Sequence, residues 1–441
     1  MKNWQHLDQD LCWHPYTQHS LDRDFLPVVS AQGAWLELAD GSKRLDAISS
    51  WWACLHGHGH PKLVQAISAQ AQKLDHVLFA GCTHEAAVEL AHELVELAPA
   101  HENPQRKLSR VFFSDNGSTA VEIALKAAYQ SWVRRGEAQR TLFISLEGSY
   151  HGDTFGTMAL AEPEPFFSEF KPFLFAVERV APNRPALASA LKRHGSKVAG
   201  FILEPMLQGA AGMKMQTAEF LRAARELCDE YGVYLIADEV ATGFGRTGKT
   251  FAVEHGPICP DLMALSKGLT GGTMPLAVTL VSEQIYSAFL SDQRAAAFFH
   301  GHTFCANPIG CAVSVASIQL LRKENTPRRL SEIGKRICKG VRHLKNGELL
   351  PSQAVADIRH LGGVVAIELE TSDQGYLSNL GDHLRAACKA HPTVLLRPLG
   401  NVIYAMPPAC TTMDEADVIS TALCDVAVQA WSAHADRIAC P

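Results

Sequence analysis

No stretch of this 441-residue sequence reaches the roughly eighteen apolar residues in a row that a membrane-spanning helix needs. The opening Met1-Lys2-Asn3-Trp4-Gln5-His6 lacks the charged-then-apolar order of a secretory leader. A cytoplasmic protein with no membrane partner is therefore expected. A surplus of basic charge is missing too: 40 Lys and Arg face 46 Asp and Glu, so the electrostatic footprint of a nucleic-acid binder is not there. Nor is there any Cys-x-x-Cys pair. The 12 cysteines are scattered from Cys12 to Cys440, which offers neither a disulfide framework nor a zinc knuckle and leaves them as small buried hydrophobes. Low-complexity tracts, short repeats and long charge runs are absent, so a chain that is 47% hydrophobic and 20% charged is expected to fold nearly throughout.

What is present is an alternation of short β-rich runs with helical patterns. Arg110-Val111-Phe112-Phe113, Leu142-Phe143-Ile144-Ser145, Val198-Ala199-Gly200-Phe201-Ile202-Leu203 and Val233-Tyr234-Leu235-Ile236-Ala237 read as buried strands. Between them, Val121, Ala124, Leu125, Ala128 and Trp132 fall at helical spacing, as do Phe220, Leu221, Ala224, Leu227 and Cys228. This alternation predicts an α/β fold with a mainly parallel sheet covered by helices. After about Glu324 a smaller βα unit follows: a helix near Arg328 to Leu344, a strand near Gly363 to Glu368, a helix near Leu377 to Ala390 and short strands around Arg397 and Tyr404. Near the start, Gly33 to Leu38 and the Asp40-Gly41 turn signal a hairpin that pattern alone does not place.

Gly243-Phe244-Gly245-Arg246-Thr247-Gly248-Lys249-Thr250 satisfies the P-loop expression, which makes a nucleotide hydrolase the rival reading. A working P-loop leaves a strand directly and opens a helix whose N–H groups hold the phosphates. Here the strand pattern ends five residues earlier, and Gly256-Pro257 arrives before a helix matures. The context argues against the motif.

Lys267 follows the apolar run Leu262-Met263-Ala264-Leu265-Ser266 and precedes Gly268-Leu269-Thr270-Gly271-Gly272. A lysine at a strand end beside a glycine loop can reach into a site and lose its proton by desolvation, as an imine-forming amine must, although a lone lysine more often sits solvated. Asp238 closes a buried strand, where ligands of parallel sheets bind. Taken alone it reads equally as a pyridine-nitrogen partner or as a cap or structural ion pair. Ser114-Asp115-Asn116-Gly117-Ser118-Thr119 follows a strand and opens a helix, so it offers an anion cradle or a plain polar cap.

Together, Ser114 to Ser118, Tyr150-His151-Gly152, Asp238 to Gly248 and Ser266-Lys267-Gly268 resemble the successive signatures of the class III, fold-type I aminotransferases, in order over nearly the whole chain. That resemblance implies pyridoxal 5'-phosphate as cofactor, a seven-stranded, mainly parallel sheet in a large domain over residues 61–325, a small domain over 326–441, and an N-terminal segment over 1–60 that packs with the small domain. It implies that Lys267 carries the cofactor, that Asp238 pairs with its ring nitrogen, that Tyr150 stacks on its ring and that Gly117 and Ser118 hold its phosphate. It further implies a homodimer in which Thr303 reaches the phosphate of the second copy's cofactor. It also explains the P-loop lookalike as a family segment.

Trp13-His14-Pro15-Tyr16-Thr17, Ser49-Ser50-Trp51-Trp52, Gly271-Gly272-Thr273-Met274 and Leu396-Arg397-Pro398-Leu399-Gly400-Asn401 with Tyr404 and Met406-Pro407-Pro408 are similar to the biotin-pathway branch of that family. The implied substrates are S-adenosylmethionine as amino donor and 8-amino-7-oxononanoate as acceptor. Implied substrate residues are Tyr16, Trp51, Tyr150, Arg246, Gly301, Arg397 and Tyr404, with Trp52 left as packing. Another class III ω-amino acid transaminase or an aminomutase is the alternative. His56, His58 and His60 alternate with glycines that would leave metal ligands unoriented, so a turn and no metal is expected there.

Overall fold

The computed structural model describes residues 3–372 and 378–439, so Leu377, the expected start of one helix, lies outside the described residues. Strands β1 (Val28–Gln32), β2 (Trp35–Leu38) and β3 (Lys43–Asp46) come first, followed by β4 (Leu108–Ser114), β5 (Leu142–Leu146), β6 (Val177–Val180) and β7 (Val198–Leu203). The two-residue strands β8 (Leu207–Gln208) and β9 (Lys214–Met215) pair as a small ribbon. Then come β10 (Tyr234–Asp238), β11 (Leu262–Leu265), β12 (Ala277–Ser282), β13 (Val355–Leu361), β14 (Val364–Leu369), β15 (Val394–Leu395) and β16 (Val402–Ala405).

The central sheet has seven strands in the order β4-β12-β11-β10-β7-β5-β6. Neighbours from β11 to β6 are parallel, and β12 runs against both β11 and β4. The fold is therefore the mainly parallel α/β sheet that the strand and helix alternation predicts. Every residue of β7, β10 and β11 is buried, because helices cover both faces, and that is why these runs show no polar alternation. Each fully buried Leu or Ile in them contributes about 1.5–3 kcal/mol relative to exposure.

The helix after β4 spans Gly117–Arg134 and begins two residues earlier than its apolar periodicity suggests. Asn116 is the reason: its side chain accepts the Thr119 N–H at 3.1 Å while the Thr119 hydroxyl accepts the Asn116 N–H at 3.2 Å, a reciprocal capping box. Its inner face carries Val121, Ala124, Leu125 and Trp132 onto the sheet, and the Trp132 ring stacks on Tyr234 with centroids 4.2 Å apart.

The smaller C-terminal elements add two that the sequence reading lacks, β13 and a helix over Met413–Ala439, and two expected elements fall short. The helix expected to run to Leu344 ends at Val341 and tightens into a 3-10 turn over Arg342–Asn346. The strand expected around Arg397 stops at Leu395, two residues short. The N-terminal hairpin, β2 and β3, finds its place here, since β3 pairs in parallel with β15, Leu45 opposite Val394 and Asp46 opposite Leu395. Ala34, Leu45 and Ala47 share one apolar cluster with Ile333, Ile337, Ile403, Leu423 and Ala427. Residues just after β3 and just after β15 consequently leave the sheet side by side.

Candidate active site

The carboxyl ends of β4, β5, β7, β10 and β11 all open toward one cavity of about 530 Å³, where ligands of parallel sheets bind. Gly117, Ser118, Tyr150, Asp238 and Lys267 line it together with Trp52, His151, Glu204 and Leu276. Gly117 and Ser118 open the long helix Gly117–Arg134, so unpaired N–H groups and the positive end of the helix dipole face the cavity. A side chain at 117 would fill that end, because a Cβ there would stand 2.6 Å from Val240 Cγ1. Gly152 has φ +125°, and a Cβ on it would run into Ser118.

Asp238 is buried and its carboxylate is oriented by two partners. Oδ2 lies 2.7 Å from His151 Nδ1, and Oδ1 accepts the Val240 N–H at 3.0 Å. His151 Nε2 is buried with no partner among the described residues, and so is the hydroxyl of Ser114. Glu204 accepts the N–H groups of Tyr150 and Gly209, each at 3.0 Å, and burial, reinforced by Asp238, pushes its carboxyl up to about 7. Lys267 sits at φ +39° at the end of β11, with Nζ 4.8 Å from the centroid of the Trp52 ring. Burial pushes its ammonium below the ordinary lysine range while Asp238 and Glu204 work the other way. The site thus holds an amine biased toward its neutral, nucleophilic form beside a fixed carboxylate.

Trp52 is the correction to the sequence reading that leaves it as packing. It is buried, lines the cavity beneath Lys267 and donates Nε1–H to the Tyr404 hydroxyl at 2.9 Å. Trp51 points elsewhere: it is 38% exposed, meets the Tyr16 ring edge-on at 5.5 Å, and lies 4.6 Å beneath the Arg397 guanidinium. Arg397 gets there because β15 leaves the sheet beside β3. The Tyr16 hydroxyl reaches Asp153 at 2.7 Å and Tyr150 at 3.0 Å, and Tyr150 donates to the same Asp153 at 2.8 Å. Burial, then this hydroxyl pair, holds the Tyr150 phenol above its ordinary range. Asp153 escapes the sequence reading, although it stands three residues after Tyr150.

Arg246, expected among the substrate contacts, is instead 1% exposed and gripped from behind. It donates to Pro407 O at 2.9 Å, Ser49 Oγ at 3.1 Å and Trp52 O at 3.0 Å. Its bond to the Trp52 carbonyl ties it to a residue that lines the cavity. Tyr404 is likewise fully buried and accepts the Trp52 Nε1–H. The tryptophans occupy an unusual backbone: Ser49, Ser50, Trp51 and Trp52 have φ of 50°, 45°, 70° and 73°, one turn of left-handed helix without a glycine. Such geometry costs about 1–2 kcal/mol per residue in an L-amino-acid chain.

Gly301 and Thr303 are exposed and do not line this cavity. His56 Nε2 lies 3.1 Å from Ser317 O and its ring meets that of His60 edge-on with centroids 6.3 Å apart, while His58 Nε2 lies 2.9 Å from Asp46. Among the described residues no His, Cys, Asp and Glu group is arranged to hold a metal. The P-loop lookalike runs through turns into a short 3-10 helix over Ala252–His255, and Lys249 is exposed. Mg-ATP titrated calorimetrically into the protein should accordingly give no specific heat of binding. A signal that disappears in Lys249→Ala would restore the P-loop.

The sequence profile of the class III aminotransferases matches residues 16–426. A curated relative, the adenosylmethionine-8-amino-7-oxononanoate aminotransferase of Synechococcus elongatus, is 43% identical over 94% of this chain and 97% of its own. The crystal structure of the enzyme with the same name from Methanocaldococcus jannaschii superposes with a TM-score of 0.89 at 36% identity, covering 96% of this chain and 98% of that one. An amine transaminase from an uncultivated Pseudomonas species, solved in its PLP-bound form, superposes with a TM-score of 0.84 at 28% identity over 96% of this chain and 98% of its own. With a profile match across most of its length and a relative at 43% identity, this chain belongs to the class III aminotransferases.

Proposed function

We propose that this protein is the transaminase that converts 8-amino-7-oxononanoate to 7,8-diaminononanoate in biotin biosynthesis, with S-adenosylmethionine as amino donor and pyridoxal 5'-phosphate as cofactor. The observation that carries the substrate assignment is the wall of Tyr16, Trp51 and Arg397, one residue along from the cavity-lining Trp52. An arginine fork binds a carboxylate through two parallel charge-assisted bonds, and flat aromatic faces cover an aliphatic chain. The relatives from Synechococcus elongatus and Methanocaldococcus jannaschii, whose names carry both substrates, support the same assignment.

The residues fit the cofactor. Gly117 and Ser118 at the helix start would take its phosphate, Asp238 its ring nitrogen, and Lys267 its aldehyde carbon, while the partnerless His151 Nε2 and Ser114 hydroxyl offer further polar contacts. When bound, the cofactor supplies an electron sink for charge developing at the substrate's Cα. Asp238 would hold a proton on the ring nitrogen, fixed by His151 and the Val240 N–H. Lys267, released by the incoming amine, would move the Cα proton, a task suited to an amine whose proton affinity burial has lowered. Trp52 and the Tyr16–Tyr150–Asp153 cluster would bound the space in which donor and acceptor sit in turn. The protein would act in the cytoplasm as a homodimer with its sites at the interface, Thr303 of each copy completing the other's phosphate site beside Gly301.

The test is to follow the cofactor's absorbance while S-adenosylmethionine, lysine, ornithine and glutamate are added in parallel, then to add 8-amino-7-oxononanoate. S-adenosylmethionine should convert the spectrum and the keto acid should restore it. Efficient conversion by glutamate or ornithine with no restoration would leave an ω-amino acid transaminase or aminomutase instead. Arg397→Ala should slow both half-reactions by about tenfold to a hundredfold, since one anchor serves both substrates in a single site. Single-turnover rates check this, and an effect confined to one half-reaction would remove Arg397 as the shared anchor.

A further inference from the structure

Nothing in the local sequence favours the left-handed turn at residues 49–52. Serine and tryptophan gain nothing from positive φ, so the turn must be held from outside. Its own closing bonds are few: Trp52 N–H to Ile48 O at 2.8 Å, and the N–H groups of Ala53 and Cys54 to Ser49 O, each at 3.0 Å.

The holding group lies three residues upstream. Asp46, at the end of β3, is fully buried, and its two oxygens take four bonds. Oδ1 accepts the N–H of Ile48 at 3.2 Å and of Ser50 at 3.0 Å, while Oδ2 accepts the Ser50 hydroxyl at 2.7 Å and faces His58 Nε2 at 2.9 Å. Burial opposes the charge on Asp46, yet the bonds from His58 and Ser50 outweigh it and keep the carboxyl below its usual range. The bond to Asp46 first, and the Cys54 side chain second, push the His58 imidazole up to about 10, against its partial burial. From the other side Arg246 grips Ser49 Oγ and Trp52 O, and the Ser49 hydroxyl donates to Met406 O at 2.7 Å. The turn also abuts the loop that follows Lys267, since a Cβ on Gly272 would stand 2.7 Å from Cys54 N and Cα and from Ala53 C.

We propose that Asp46 and His58 are positioning residues for substrate recognition: the pair of buried Asp46 with half-buried His58 imposes the left-handed turn that sends Trp51 under Arg397 and Trp52 under Lys267. Neither residue lines the cavity, so they act through the tryptophans. The proposal rests on the reading of Trp51 and Arg397 as the substrate wall. It assigns a role to a histidine that sequence spacing offers only as a metal decoy, and to an aspartate at a strand end that no motif marks.

The test uses the full-length holoenzyme and three variants: Asp46→Asn, His58→Gln, and Asp46→Asn combined with Ser50→Gly. An asparagine in place of Asp46 cannot pair with His58 as an ion, whereas a glycine in place of Ser50 adopts positive φ without a clamp. Asp46→Asn should raise KM for 8-amino-7-oxononanoate about tenfold or more, with kcat within about threefold and the cofactor dissociation constant unchanged. Adding Ser50→Gly should recover most of that KM and return the near-ultraviolet circular dichroism of the tryptophans toward wild type. An unchanged KM in Asp46→Asn, a loss that Ser50→Gly does not recover, or an equal loss of cofactor affinity would each overturn the proposal. Should Asp46→Asn not fold, His58→Gln decides: KM raised about threefold or more at constant cofactor affinity supports the clamp, and an unchanged KM overturns it. If the wild-type enzyme does not use 8-amino-7-oxononanoate, the substrate assignment falls by itself. The clamp is then judged by the dichroism and by KM for whichever of S-adenosylmethionine, lysine or ornithine the wild type converts.

Discussion

Lys267→Ala should lower turnover by about ten-thousandfold or more, because one side chain is proposed to be both the attachment point and the proton carrier at the substrate's Cα. No second lysine is among the residues that line the cavity. Glu204 is committed to two backbone N–H groups, and Asp238 is turned toward His151 and Val240. The phosphate cradle at Gly117 and Ser118 belongs to a different element from Lys267, so the variant should still bind the cofactor, more weakly and reversibly through dialysis. Steady-state rates with S-adenosylmethionine and 8-amino-7-oxononanoate, beside equilibrium dialysis of the cofactor, measure both. An alanine variant with more than a few per cent of wild-type activity would remove Lys267 from the mechanism. The folded state should be little affected, since the lysine opens onto the cavity and is held there by burial against Trp52.

Asp238→Asn is expected to cost about a hundredfold to ten-thousandfold in kcat, the range that a positioned proton partner commands. The asparagine amide keeps the size and one of the two hydrogen bonds but gives up the charge that holds a proton on the ring nitrogen. His151 makes the substitution more informative. Its Nδ1 faces Asp238 at 2.7 Å and its Nε2 is buried without a partner among the described residues, so the loss of the carboxylate also frees the imidazole to change tautomer. His151→Asn should therefore produce a smaller loss in the same direction. If Asp238→Asn retains near-normal kcat, the nitrogen is held by another group and the carboxylate is structural.

The catalytic side of this protein is more legible in the sequence than its substrate side, and the reason is distance along the chain. Asp238 and Lys267 each sit at the end of a fully buried strand, and Ser114 to Thr119 at the end of β4, whose Arg110 is exposed and which is less buried than its apolar run suggests; in each case a polar residue announces the strand's end. Their common cavity follows from the parallel sheet alone. The antiparallel β12 escapes the pattern reading, although Ala277–Ser282 is an equally apolar run, because it lies inside a glycine-flanked stretch that draws attention to the lysine. The substrate side depends on pairings that no local pattern carries. His151 meets Asp238 across 87 residues and Trp52 meets Tyr404 across 352. Arg246 looks like a ligand group because arginines in motifs often are, and only its burial shows that its terminal nitrogens are spent on Ser49 and on backbone oxygens. The positive φ at residues 49–52 is invisible for the opposite reason: no glycine or asparagine marks it.

The parallel pairing of β3 with β15 joins residue 46 to residue 395, and it sets an order of assembly during synthesis. Every residue that lines the catalytic cavity lies between 52 and 276, so that part of the chain has left the ribosome long before Arg397 exists. Pairings so far apart in sequence are the slow ones to form. A nascent chain arrested just before β15 would carry every residue that lines the cavity but no partner strand for β3, no Tyr404 for Trp52 and no cation above Trp51. The proposed substrate anchor is thus made after the proposed cofactor lysine, and a chain cut short ahead of Arg397 would lack the one while keeping the other.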